Sequence, residues 1–251
     1  MTTIDILAGF ILFLLAVIAL IVHTVQLSKK PSKTGLREIG VFPRLQRAIG
    51  FSVEEGSRVH VSIGRSSLTN PTNASALVGL TTLEHITRQS INSDRPPIST
   101  SGDGALSILS QDVQCAGTRK AGAPELYDHS RAWMTGPTPF SYLAGLMPVV
   151  GEKNTRTHLL IGNYGPEMTI AASAAQDNGA YVLAASDSLP TQAALYAAVD
   201  DVLIGEELFA APAYLEMGAA YRASLAVQDL LRWVLIALLL AGAVLNLTGL
   251  L

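Results

Sequence analysis

The chain has 251 residues, of which 49% are hydrophobic and 15% charged, with a formal net charge of −3. Six of its 17 basic side chains (Lys29, Lys30, Lys33, Arg37, Arg44 and Arg47) fall in the first 47 residues beside only Asp5 and Glu38, so eleven basic and eighteen acidic side chains remain, net −7. An acidic body excludes a nucleic-acid binder that tracks phosphates with clustered Lys and Arg, and the single cysteine, Cys115, excludes an intrachain disulfide.

Residues 4–27 form an almost unbroken apolar run. As a helix this run is roughly 35 Å long, enough to cross a ~30 Å hydrocarbon core. A cleaved signal peptide needs positive charge before the run and small residues after it. Here the only early charge is Asp5, and Lys29, Lys30 and Lys33 follow the run, so a retained span is expected. Because cytoplasmic flanks collect Lys and Arg, the amino terminus is expected outside and the chain from Ser28 onward inside. Residues 28–56 read as a basic juxtamembrane connector that ends in a short helix, with Pro43 in its first turn before Leu45, Ala48 and Ile49. The basic residues set topology; they could also meet anionic lipid.

From Arg58 the pattern alternates between short β-like runs and helical ones. Val59–Ile63 ends at Gly64-Arg65-Ser66-Ser67, and Pro97–Thr100 ends at Ser101-Gly102-Asp103-Gly104. Ala132–Met134 ends at Thr135-Gly136, and His158–Ile161 ends at Gly162-Asn163. Tyr181–Ala184 ends at Ala185-Ser186-Asp187, and Val202–Ile204 ends at Gly205-Glu206-Glu207. A helical segment follows each, Ala/Leu-rich in the first case. Six strands joined by crossover helices must run parallel, and apolar strands suit a sheet covered on both faces. The expected fold is therefore a Rossmann-like α/β domain over residues 57–218, with a mainly parallel sheet and helices on both faces. Residues 219–251 read as a juxtamembrane helix that continues into a second span, entered at Arg232-Trp233. Both termini are expected outside, the α/β domain is expected in the cytoplasm, and the last strand, the acidic turn and the span follow one another closely enough for a rigid mount.

Four blocks stand out: Val59–Gly64; Pro97-Ile98 before Gly102-Asp103; Gly205-Glu206-Glu207-Leu208-Phe209-Ala210-Ala211; and Ala226-Val227-Gln228-Asp229-Leu230-Leu231-Arg232-Trp233. Together they resemble an uncharacterised family of bacterial two-span membrane proteins, a domain of unknown function. The resemblance runs over nearly the whole chain and is most specific in the last two blocks. It implies a bacterial plasma-membrane (inner-membrane) protein and brings no catalytic residues with it.

In open parallel sheets, ligands sit beyond the carboxyl ends of the strands. The ligand-binding candidates are accordingly Gly64, Arg65, Ser66, Ser67, Gly102, Asp103, Gly162, Asn163 and Asp187. Gly64-Arg65-Ser66-Ser67 is the best anion cradle among them, with a cation and two hydroxyls before a helix. Against this reading, every tight βα turn needs Gly, Ser, Asp or Asn for its own geometry and capping. Glu206 and Glu207 could support a helix start through the dipole, bind a cation, or contact a partner. No P-loop, dinucleotide fingerprint or G-x-S-x-G elbow occurs. The histidines lack metal-ligand spacing, so no catalytic residue, metal ligand or cofactor is assigned. The reading that follows is a membrane-anchored structural or assembly module in a lipid bilayer, associating with itself or with other membrane proteins. The alternative is a small-molecule or nucleotide-sensing domain coupled to the membrane, followed by an enzyme. Small residues at Ala8-Gly9, Ala16, Ala19 and Ala241-Gly242-Ala243 would permit the close helix contacts of such an assembly.

Overall fold

A computed structural model describes residues 3–29, 36–66, 74–91 and 93–247. The chain divides into a sheet-containing unit, Glu38–Leu215, and a helical unit formed by its two ends, Met1–Arg37 and Glu216–Leu251.

In the sheet unit, α2 (Val41–Glu54) precedes β1 (Arg58–Gly64). It buries Phe42, Leu45, Ile49 and Ser52 and turns Arg44, Arg47 and Phe51 outward. This is the 3–4 spacing of an amphipathic helix, so the sequence stretch read as a basic connector contains a helix that packs on β1, β4 and β6. The chain then runs through α3 (Ala74–Gln89), β2 (Ile98–Ser101), α4 (Gly104–Lys120), β3 (Ala132–Met134) and α5 (Pro139–Val150). It continues through β4 (Thr155–Asn163), α6 (Met168–Asp177), β5 (Tyr181–Ser186), α7 (Leu189–Ala198), β6 (Asp201–Leu203) and α8 (Glu207–Tyr214).

The six strands form one sheet in the order β3-β2-β1-β4-β5-β6, with every pairing parallel. This is the order of a doubly wound domain, whose direction of winding reverses between β1 and β4. The reversal follows from the handedness of crossovers. Two right-handed connections carry the chain outward to β3, and α5 brings it back across the sheet to β4. Side-chain alternation then divides the sheet into two faces. Val59, Val61 and Ile63 face the layer containing α3, where Gly79 lies against Ile63. On the other face, Ile98, Leu160, Val182, Ala184 and Val202 pack under Tyr142, Leu146, Met168, Ala171, Ala175 and Leu195 of α5, α6 and α7. Each fully buried Leu, Val or Ile contributes about 1.5–3 kcal/mol, so this core anchors the strand ends that carry the site.

The helical unit consists of α1 (Thr3–Lys29) packed along α9 (Ala219–Leu247). With 27 and 29 residues they extend ~40 Å and ~44 Å at the α-helical rise. Both are long and apolar enough to cross a membrane. Among the described residues none of Leu12–Lys29 in α1 is buried, and 6% of the apolar stretch Ala219–Val244 in α9 is. These helices therefore differ from the core helices of a water-soluble domain, whose apolar faces are covered.

Candidate functional site

The carboxyl ends of β1 and β4, where the winding reverses, are where a sheet of this order offers a crevice. Here the two backbones close on each other. Gly64 has φ +83°, and a Cβ at Gly64 would lie 2.7 Å from the carbonyl oxygen of Asn163. A Cβ at Gly162 would overlap the carbonyl of Ile63. Both glycines are thus required by strand contact, independently of any ligand.

Arg65 follows at the mouth of this junction. Its aliphatic stem lies across Gly102, where a Cβ would come within 2.5 Å of Cγ. Its guanidinium sits 3.5 Å from Glu167 Oε1, with the two side chains 19% and 12% exposed. Such a shielded pair is costly to break from one side. The Nε of Arg65 and the hydroxyl of Ser66 are buried and make no hydrogen bond among the described residues. Ser67 lies outside the described residues.

The remaining predicted residues have partners of their own. The Gly102 N–H donates to the Gly64 carbonyl at 2.8 Å, which extends the β1–β2 ladder. Asp103 is the N-cap of α4 and accepts from the N–H groups of Ala105 and Leu106 at 2.9 and 3.1 Å. Asn163 Nδ2 donates to Asp187 Oδ1 at 2.7 Å, and the Ser75 hydroxyl donates to Asp187 Oδ2 at 2.5 Å. Asp187 therefore ties the start of α3 to the ends of β4 and β5. Gly64, Arg65, Gly102, Asn163 and Asp187 are brought into one neighbourhood. Glu206 and Glu207 lie apart from it, at the start of α8 after the edge strand β6.

Beneath the strand ends runs a buried polar ladder. Ser62 Oγ lies 2.6 Å from the Tyr142 hydroxyl. The Tyr164 hydroxyl donates to the Ser62 carbonyl at 2.7 Å and lies 2.9 Å from its Oγ. His60 Nε2 is 2.9 Å from Thr100 Oγ1, and His60 Nδ1 is 3.2 Å from His158 Nδ1. One of the paired imidazoles must supply the proton and the other the lone pair, so the accepting ring is neutral. Burial, reinforced by the charge of the neighbouring His158, pushes His60 well below the usual imidazole range. Burial also lowers His158 to about 4. Burial raises Tyr142 and carries Tyr164 well above the usual phenol value. None of these groups exchanges protons near pH 7, and all four side chains are at most 2% exposed. The ladder is suited to fixing the sheet against α5 and α6 rather than to acid–base chemistry.

Glu167, Ser75, Tyr142 and Tyr164 are absent from the sequence-derived set. They reach the junction from 80 to 112 residues away in the chain, according to their contacts, and no local motif marks them. Among the described residues no group of three or more His, Cys, Asp or Glu side chains could hold a metal ion.

The model of one family, Domain of unknown function (DUF6754), matches residues 4–250. The chain belongs to that family. No curated protein and no solved structure gives a match.

Proposed function

We propose that this chain is a membrane-anchored structural or assembly module of the bacterial plasma membrane. In this reading α1 and α9 cross the bilayer, both termini lie outside, the sheet unit is cytoplasmic, and the protein associates with copies of itself or with other membrane proteins. The observation that carries it is the state of the winding-reversal junction. Its glycines are used for strand contact, and its Asp, Asn and most of its charged groups are used to hold the fold. The residues left over for function are then the apolar surfaces of the helical pair. Gly9 and Gly242 have open space where a Cβ would sit, as close helix approach in lipid requires. The Lys and Arg that follow α1 favour a cytoplasmic head. The orientation is tested with a membrane-impermeant thiol reagent on intact cells. Thr3→Cys in a Cys115→Ser background should label from outside, whereas the native chain, with Cys115 alone, should stay unlabelled until the cells are permeabilised. The reverse pattern contradicts the topology.

A second reading, sensing of a small anionic ligand at the junction, is favoured by the buried Arg65 Nε and Ser66 hydroxyl without hydrogen-bond partners. A thermal-shift screen of nucleotides and phosphorylated metabolites tests it, with Ser66→Ala and Arg65→Lys as probes. Gly64→Val is unsuitable because its side chain would strike the backbone of Asn163. A compound that stabilises the native chain but neither variant supports sensing; no stabilising compound removes it.

A further inference from the structure

At the opposite end of the strands, α2 and the amino-terminal ends of β4 and β5 line an open cleft of about 520 Å³. This is within the range of small-ligand sites. Its charged lining is unbalanced. Arg44 is already neutralised: its Nε donates to both carboxylate oxygens of Asp201, at 2.9 and 3.0 Å, and Nη2 completes the fork. Arg47 and Arg156 also line the cleft and are exposed. Arg47 makes one long bond, 3.4 Å, to the Pro43 carbonyl of its own helix. Neither Arg47 nor Arg156 has a carboxylate partner among the described residues. Glu55 is the opposing carboxylate on the cleft wall, and it leaves one positive charge uncompensated.

The shape reinforces the charge. Gly179, at φ +74°, contributes no side chain, and Arg156 Nη1 lies 3.8 Å from where its Cβ would be. The exposed guanidinium thus lies beside the turn into β5. Phe51 leaves 60% of its surface exposed at the same cleft, an apolar wall beside two cations. Planar guanidinium groups match phosphate oxygens with paired donors, and an adjacent ring suits a ligand that carries an apolar portion.

We propose that this cleft binds a phosphate group, with Arg47 and Arg156 as its ligands and Phe51 packing against what the phosphate bears. The phosphate belongs either to an anionic lipid headgroup or to a soluble phosphorylated molecule. The lipid source has support in the chain order, because α2 begins after a segment containing Lys30, Lys33 and Arg37 that follows the first apolar helix. The site is separate from the junction at the other end of the strands and does not depend on the assembly reading.

The test uses the full chain in maltoside micelles, titrated with dioctanoylphosphatidylglycerol, with inorganic pyrophosphate and with zwitterionic dioctanoylphosphatidylcholine, and followed by calorimetry. At least one anionic probe should bind saturably, and Arg156→Gln and Arg47→Gln should each weaken it about tenfold or more, the scale of one lost charge-assisted contact. Arg119→Gln on α4 should leave it unchanged. Binding of the lipid alone assigns the site to a headgroup, binding of pyrophosphate alone assigns it to a soluble ligand, and binding of both assigns recognition to the phosphate itself. Melting temperatures are read alongside; if Arg156→Gln unfolds, Arg47→Gln carries the test. The proposal is overturned if neither anionic probe saturates, if phosphatidylcholine binds as well as they do, if both variants bind like the native chain, or if Arg119→Gln weakens binding equally.

Discussion

The two units of this chain treat apolar surface in opposite ways. The sheet unit hides it: Leu45, Val61, Leu83, Leu146, Leu159 and Leu183 are all fully buried. The helical unit displays it: Phe10, Phe13, Leu235, Leu238, Leu239 and Leu240 are each 59–65% exposed. The first unit is stabilised by its own packing. The second leaves its apolar side chains open on two helices long and apolar enough to cross a membrane, a surface that on the proposed reading is covered by lipid or by another helix. On the proposed reading, such a chain keeps its stability in one part and its capacity for association in the other.

The contrast can be broken most sharply by matched truncations. Leu146→Ala should destabilise the sheet unit by about 2–5 kcal/mol through lost transfer energy and a cavity, whereas Leu239→Ala should change it by less than about 0.5 kcal/mol. Urea unfolding in detergent measures both, with Trp133 fluorescence as the signal in a Trp233→Phe background. Trp133 packs against the core that contains Leu146, so equal effects of the two truncations would erase the distinction.

Acid provides the next largest effect. The folded His158 titrates at about 4 and the unfolded one at about 6.5. Between these values the unfolded chain binds more protons, so its contribution is fully present above pH 6.5. It falls as the pH drops towards 4, by about 3 kcal/mol in all. His60 is shifted in the same direction and adds to the loss. The Trp133 unfolding midpoint should drop steeply over this window, and His158→Gln should flatten the dependence; a flat native profile would mean that the imidazole pair is not sealed. A smaller effect is expected from Asp187→Ala, which leaves Asn163 and Ser75 without their acceptor at a cost of about 1–3 kcal/mol, read from the same urea curves. Smallest for the sheet unit is Gly242→Leu, within about 0.5 kcal/mol, although it should weaken association between chains.

Much of this fold was legible because local chemistry dictates it. Apolar β-like runs ending in Gly, Ser, Asn or Asp, each followed by a helical run, imply a parallel sheet, and all six expected strands are found. Strand order was not legible. It depends on where the α5 crossover returns, which is a property of the whole sheet rather than of any segment. The candidate site was half legible. The backbone roles of Gly64 and Gly162 and the cap at Asp103 follow from turn chemistry. In contrast, the Arg65–Glu167 pair, the Ser75–Asp187 tie and the Tyr142–Ser62–Tyr164 contacts join distant segments through single side chains that carry no local pattern. The Arg47–Arg156 cleft was hidden for the same reason, because its two cations are 109 positions apart in the sequence. Within residues 28–56 the expected short helix with Pro43 in its first turn is found as α2, whereas its packing on the sheet through Phe42, Leu45, Ile49 and Ser52 could not be read from the charge of the connector.

Native mass spectrometry of the full chain released from mild detergent tests most directly the claim that the exposed helical unit is an assembly surface. The account predicts a discrete oligomer that persists on tenfold dilution and shifts towards monomer in Gly242→Leu while the sheet unit stays folded. A strict monomer at every concentration would contradict it.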